Sequence, residues 1–274
     1  MAIAVIPLRL QNGQVVSGAS PDMANPPSPQ SSPIIELRQY TLHPGQRDVL
    51  IDLFEREFIE SQEVLGMRVL GTFRDLDRPD RFVWIRGFRD MASRAEGLDA
   101  FYSGPVWQAH RETANATMLD SDNVLLLHVA SADSGFPSAD RPRPPQGSTV
   151  IPRGLMVANI DSFASPVTAE FVDFFDRTVK PELQAAGVTV RASYVSETSP
   201  NNFPRLPVRE SDHVFVWFSS FADASDYERC LARLNQSPAW RAIDAALRAK
   251  LKSEPEVLRL QPTPRSAMPA VRLG

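Results

Sequence analysis

Three short stretches carry, at alternate positions, side chains able to hold and polarise a small oxygenated molecule: Glu36, Arg38 and Tyr40; Trp84 and Arg86; and His128. Alternate residues of a strand share a face, so each stretch delivers its groups to one side. An imidazole titrates near neutral pH, which makes His128 the candidate general base or acid. The forked guanidiniums of Arg38 and Arg86 suit a carboxylate or enolate oxygen, and Glu36 would orient them. Tyr40 could donate to a substrate oxygen, and Trp84 could stack on an aromatic ligand. Each group also has a plainer reading. Glu36 and Arg38, two residues apart, can neutralise one another, and Arg86 can be a further partner of Glu36. His128 can be a hydrogen-bonded sheet histidine, Tyr40 a rim phenol and Trp84 interface filling.

The elements that must position these groups are legible from periodicity. Ile34 to Leu42 alternates as a strand, and Val49, Leu50, Leu53, Phe54 and Phe58 then recur at helical spacing. Met67 to Arg74 and Phe82 to Phe88 read as a hairpin, a helical region from Met91 restarts at Pro105, and Val124 to Ala130 closes the unit. The order strand, helix, strand, strand, helix, strand is ferredoxin-like. One parity of these strands is almost wholly apolar (Ile35, Leu37, Val83, Ile85, Leu125, Leu127). We assign it to the helices, which need a continuous apolar bed, and assign the mixed parity with Glu36, Arg38, Arg68 and Arg86 to the interior face, turned toward an opposing sheet.

The pattern occurs twice. Gly66 returns as Gly187, displaced by 121 positions, and Trp84, Phe88, Asp90 and Trp107 return as Trp217, Phe221, Asp223 and Trp240, displaced by 133. The halves therefore differ by one insertion, around Ser199 to Glu210, in a loop where added length costs little. The second copy keeps the indole at Trp217 and gains Arg191, while Asn159, Ser219 and Gln261 stand where the first has Arg38, Arg86 and His128. Arg191 and Trp217 join Tyr40, Trp84 and Arg68 as candidate substrate-binding residues. The expected layout is a tail over 1–33, a domain over 34–130, a linker over 131–153, a second domain over 154–262 and a tail over 263–274. A four-stranded sheet with helices on one face leaves the other uncovered, so the fold class is α+β: two tandem ferredoxin-like domains packed sheet to sheet, within one chain or with a second copy.

Composition narrows the function. The 274-residue chain has a formal net charge of −4, which argues against nucleic-acid binding. Its single cysteine, Cys230, sits in a helical pattern and reads as a small buried hydrophobe. No apolar stretch reaches the length of a membrane span, and a cytoplasmic location is expected. Phosphate-binding loops, dinucleotide fingerprints, nucleophile elbows and metal-spaced Cys or His pairs are absent. No metal or cofactor is expected, although His110 or His128 could each supply a single haem ligand.

The stretch Glu36-Leu-Arg-Gln-Tyr-Thr-Leu-His-Pro-Gly45, with the strand Arg81 to Phe88 and Pro105-Val-Trp107, resembles the NIPSNAP family of dimeric α/β-barrel proteins. The resemblance covers Ile34 to Ala130 well and Leu155 to Pro262 more loosely. It implies a barrel of two sheets with ligand space between them. The wider superfamily spans cofactor-free oxygenases, dehydratases, haem enzymes and proteins without settled activity. Two readings follow. One is a protein binding a small organic molecule in the barrel, with proton transfer or cofactor-free rearrangement as its chemistry. The other is a non-enzymatic scaffold that recruits a protein partner.

Overall fold

The computed structural model describes residues 32–137 and 142–268, so most of the expected tail over 1–33 lies outside the described residues. In the first half, β1 (Ile34–Leu42) leads into a helix of three segments: α1 (Arg47–Leu53), a π-helical turn (Phe54–Phe58) and α2 (Ile59–Glu63). β2 (Arg68–Asp75) and β3 (Arg81–Phe88) form a hairpin, followed by α3 (Met91–Ser103), α4 (Pro105–Asn115), β4 (Met118–Asp120) and β5 (Val124–Val129). The second half repeats this with β6 (Leu155–Phe163), α5 (Ala169–Phe174), a π-helical turn (Phe175–Val179) and α6 (Lys180–Ala185). It continues with β7 (Thr189–Ser196), β8 (His213–Phe221), α7 (Ala224–Gln236), α8 (Pro238–Arg248) and β9 (Glu256–Pro262).

The duplication reaches into local detail. Asp90 caps α3 by accepting from the Ser93 amide at 2.7 Å, and Asp223 caps α7 by accepting from the Asp226 amide at 2.8 Å, each satisfying an amide that the first helical turn leaves free. Pro105 and Pro238 open α4 and α8, where a missing N–H costs nothing. Gly66 and Gly187 end the preceding helices at φ of 81° and 91°, a left-handed conformation that favours glycine. A bulge falls between Val69 and Gly71 in β2 and between Val190 and Ala192 in β7.

Within each half the strands lie in the order β5-β1-β3-β2 and β9-β6-β8-β7. β2 pairs with β9, Phe73 opposite Pro262, and β5 pairs with β7, Leu127 opposite Ser196. Eight antiparallel strands thus close into a barrel within one chain, and the short β4 pairs with the end of β1. Closure within the chain removes the exposed edges that a lone four-stranded sheet would present.

The two faces of the first sheet lie opposite to the sequence-based assignment. Ile35, Leu37, Val83, Ile85, Leu125 and Leu127 form one core with Met156, Tyr194, Phe218 and Leu260 of the second half, which fills the barrel interior. The mixed face, with Tyr40 and Trp84, instead packs beneath the helices against Phe54, Phe58 and Phe101. In a barrel both faces of a sheet are buried, and the continuous apolar bed belongs where sheet meets sheet with no room for solvated groups. Trp217 likewise lies against the helices of its own half, its ring 5.7 Å from that of Phe175. The two tryptophans therefore sit outside the barrel on opposite halves and share no ligand space.

The segments bounding the halves are also packed. Phe136, in the expected linker, is buried against Tyr194 and Phe218. Thr263, Arg265 and Ser266, expected as the start of a tail, are buried. Thr263 Oγ1 and the Arg265 amide donate to the buried Glu55 carboxylate, and the Arg265 guanidinium reaches Glu60 and the Pro144 carbonyl.

Candidate functional site

β1 presents Glu36, Arg38 and Tyr40 beneath the helices, and β3 lays Trp84 and Arg86 beside them, with Glu36 opposite Arg86 and Arg38 opposite Trp84. Glu36 is fully buried and is the hub. Its Oε2 accepts from Arg38 Nη1 at 2.8 Å and from Arg86 Nη2 and Nε at 2.6 and 3.1 Å. Its Oε1 accepts from Arg94 Nε of α3 at 2.8 Å. Burial by itself would raise the Glu36 carboxyl, but the guanidiniums of Arg86, Arg38 and Arg94 outweigh it and hold the group well below the usual carboxylate range. Glu36 is thus a fixed anion with both oxygens engaged, suited to orienting arginines and not to taking a proton.

The arginines differ in what remains free. Arg86 gives its Nη1 to Gln62 Oε1 at 2.8 Å, so all three of its nitrogens donate within the cluster. Arg38 donates from Nε to Tyr40 Oη at 2.9 Å. That bond occupies the phenol oxygen as acceptor and leaves its O–H to donate. Burial raises the Tyr40 pKa, so near neutral pH the group is a proton-bearing donor. Trp84 lies between the two guanidiniums, with Arg38 Cζ 5.5 Å and Arg86 Cζ 5.0 Å from its ring centre, and its buried indole Nε1 has no hydrogen-bond partner.

Beside this cluster lies a cavity of about 100 Å³. Tyr40 and Trp84 line it from the sheet, Phe54 and Phe58 from the π-helical turn, Tyr102 from α3 and Trp107 from α4. The wall is mostly aromatic, with the phenols of Tyr40 and Tyr102 and the polar side chains of Gln62, Asn115 and Ser121 among its lining. The volume is below the roughly 300 Å³ at which preformed ligand pockets usually begin, and comparable with the ~150 Å³ cavity that admits benzene.

Other expected site residues lie elsewhere. His128 stands opposite Ile34 on β1, is partly exposed, and has its Nδ1 3.4 Å from Glu197 Oε2, so its carboxylate neighbour is Glu197 and not Glu36. Arg68 begins β2, where its charge acts on Tyr194 of the barrel core, and Arg191 sits at the β7 bulge; neither lines the cavity. His110 has its Nε2 3.5 Å from Glu57 Oε2. Among the described residues no group of three or more His, Cys, Asp or Glu is placed to hold a metal ion, and no helix is long and apolar enough to cross a membrane.

Several groups escaped the sequence reading. Arg94 shares a helical stripe with Leu98, Phe101 and Tyr102, and a cation inside an apolar stripe was the available signal. Gln62 follows Phe58 by four residues, and its Nε2 donates to the Phe58 carbonyl at 2.7 Å. Asp161 occupies the place of Tyr40 in the second copy, bonded to Trp217 and buried enough that its pKa is pushed up to about 7, with Oδ2 unpartnered.

An eight-stranded barrel closed by two ferredoxin-like halves, with a polar cluster under the helices of the first, defines the α/β-barrel class of proteins. Residues 35–132 match the family model NIPSNAP, so the first half carries a NIPSNAP domain. A comparison with curated proteins finds no match. Among solved structures, an anthrone oxidase-like protein is 15% identical with a TM-score of 0.51, covering 90% of this chain and 98% of its own. A proposed monooxygenase from Lactobacillus acidophilus NCFM is 16% identical with a TM-score of 0.50, covering 84% of this chain and 94% of its own. A NIPSNAP-like domain protein from Burkholderia xenovorans is 24% identical with a TM-score of 0.32, covering 41% of this chain and 91% of its own. At these identities the likeness to the first two is one of fold.

Proposed function

We propose that the first half binds a small, ring-bearing organic molecule with an oxygen acceptor in the cavity between its sheet and its helices. The observation that carries this reading is the pairing of an aromatic-walled space with a phenol whose oxygen is already held by Arg38, leaving its proton for a ligand oxygen. A phenolic or carbonyl compound meets both demands. The names of the anthrone oxidase-like and monooxygenase structures support a ligand of that kind. If chemistry follows binding, Tyr40 and the Arg38 charge behind it would stabilise negative charge developing on that oxygen. His128 and Glu36 have no part as base or acid in this arrangement.

Calorimetric titration with phenol tests the reading. Saturable binding at one site is expected, weakened about fivefold to tenfold in Tyr40→Phe, the scale of one lost hydrogen bond. Absence of saturable binding would sink it and move preference to the scaffold reading, to which a filled barrel interior lends support.

A further inference from the structure

The one length difference between the halves lies over the cavity of the first. β2 and β3 are joined by the short turn Leu76 to Asp80, whereas β7 and β8 are joined by the sixteen residues Glu197 to Asp212. This longer connection leaves its own half and runs across the other. The Glu197 and Arg209 amides donate to the Leu126 and Val124 carbonyls, both at 2.9 Å. Asn201 and Asn202 offer their Oδ1 atoms to Arg94 Nη1 at 3.0 and 2.7 Å. Phe203 is buried, its ring stacked on that of Tyr102 at 5.9 Å between centres, and Leu206 completes the cavity wall. The crossing is internally braced: the Asn201 amide donates to Glu210 Oε1 at 2.8 Å and Asn201 Nδ2 to the Leu206 carbonyl at 2.9 Å.

We propose that this connection of the second half is the specificity element of the first half's binding site, with Leu206 and the Phe203–Tyr102 stack setting the length of ring system that the cavity accepts. The proposal rests on the ligand-binding reading above. Two facts support it together. The cavity is closed on one side by a residue that its own half does not supply, and the arginine nearest the crossing spends a nitrogen on two neutral amide oxygens of the crossing itself. Asn201 and Asn202 thereby tie the segment that carries Leu206 to the first half, and Leu206 lines the same cavity as Tyr40 and Trp84. Shortening the side chain at 206 lengthens the space away from Tyr40, and enlarging it fills the space.

Phenol and 2-naphthol, titrated by calorimetry against the wild type, Leu206→Ala and Leu206→Trp, form the test. Leu206 is half-buried, so both variants are expected to fold, which thermal unfolding checks. The wild type is expected to prefer phenol. Leu206→Ala should shift the ratio of the two dissociation constants at least tenfold toward 2-naphthol, and Leu206→Trp should weaken phenol at least tenfold. A ratio that stays unchanged in Leu206→Ala, with phenol still bound as in the wild type, overturns the proposal and leaves the binding reading standing. Failure of all three proteins to bind either probe overturns both.

Discussion

At the scale of single residues, the first half is organised by one carboxylate holding three guanidiniums. Charges taken out of water are costly, and removing one partner of a buried set leaves the others uncompensated. Glu36→Gln should therefore lower stability by about 3–5 kcal/mol, read as a lower urea midpoint; a change within experimental error would show that the cluster holds nothing together. A second buried carboxyl behaves in the opposite sense. Burial raises the Asp161 pKa from 3.8 to about 7, so the folded protein binds its proton more tightly than the unfolded chain does. Its contribution is complete below about pH 4 and is lost as pH rises toward 7. Asp161→Asn should stabilise the fold over wild type by little at pH 4 and by progressively more up to about pH 7, on the order of a few kcal/mol, read as a higher thermal midpoint. An equal effect at both ends would exclude a buried proton. The sequence brought Glu36, Arg38, Tyr40 and Arg86 onto one face because strand alternation is local. It did not reach Arg94 or Asn201, whose places depend on how a helix and a distant loop cross that face.

At the scale of elements, the repeat made most boundaries visible, since Gly66, Trp84, Phe88, Asp90 and Trp107 return at fixed displacements. Loss of the Asp90 side chain should cost α3 about 1 kcal/mol, measured by chemical denaturation of Asp90→Ala, and the same substitution at Asp223 should cost α7 a similar amount. Unequal losses would show that the duplicated caps carry different loads. What alternation could not supply was direction. Ile35, Leu37, Val83 and Ile85 face one way and Tyr40, Trp84 and Arg86 the other, but a strand buried on both sides carries no local mark of which side is the barrel. The expectation of a polar barrel interior failed there, because a helix-covered face can also hold polar groups when they satisfy one another. The Ser199 to Glu210 insertion was legible as added length and as a loop, while its destination was not, since nothing local to it encodes contact with Tyr102.

At the scale of the whole molecule, the two halves stand to each other as two subunits would, with the pairings of β2 to β9 and β5 to β7 made inside one chain. The apolar faces that meet in the barrel are continuous across both halves, so neither half is complete alone. Residues 32–137 expressed separately should pair with a second copy or aggregate, whereas the full chain needs no second copy to close its barrel; light scattering after size exclusion distinguishes these outcomes. A separate first half that stays monomeric and folded would contradict the account of the core. Placing the ligand outside the barrel, under the helices of the first half, is the central claim. A crystal structure after soaking with phenol tests it most directly. The account predicts density for the ring among Tyr40, Trp84, Tyr102 and Leu206, with the phenol oxygen within hydrogen-bond distance of Tyr40 Oη. Density in the barrel interior among Phe73, Tyr194 and Phe218, or none beneath the helices, would contradict it.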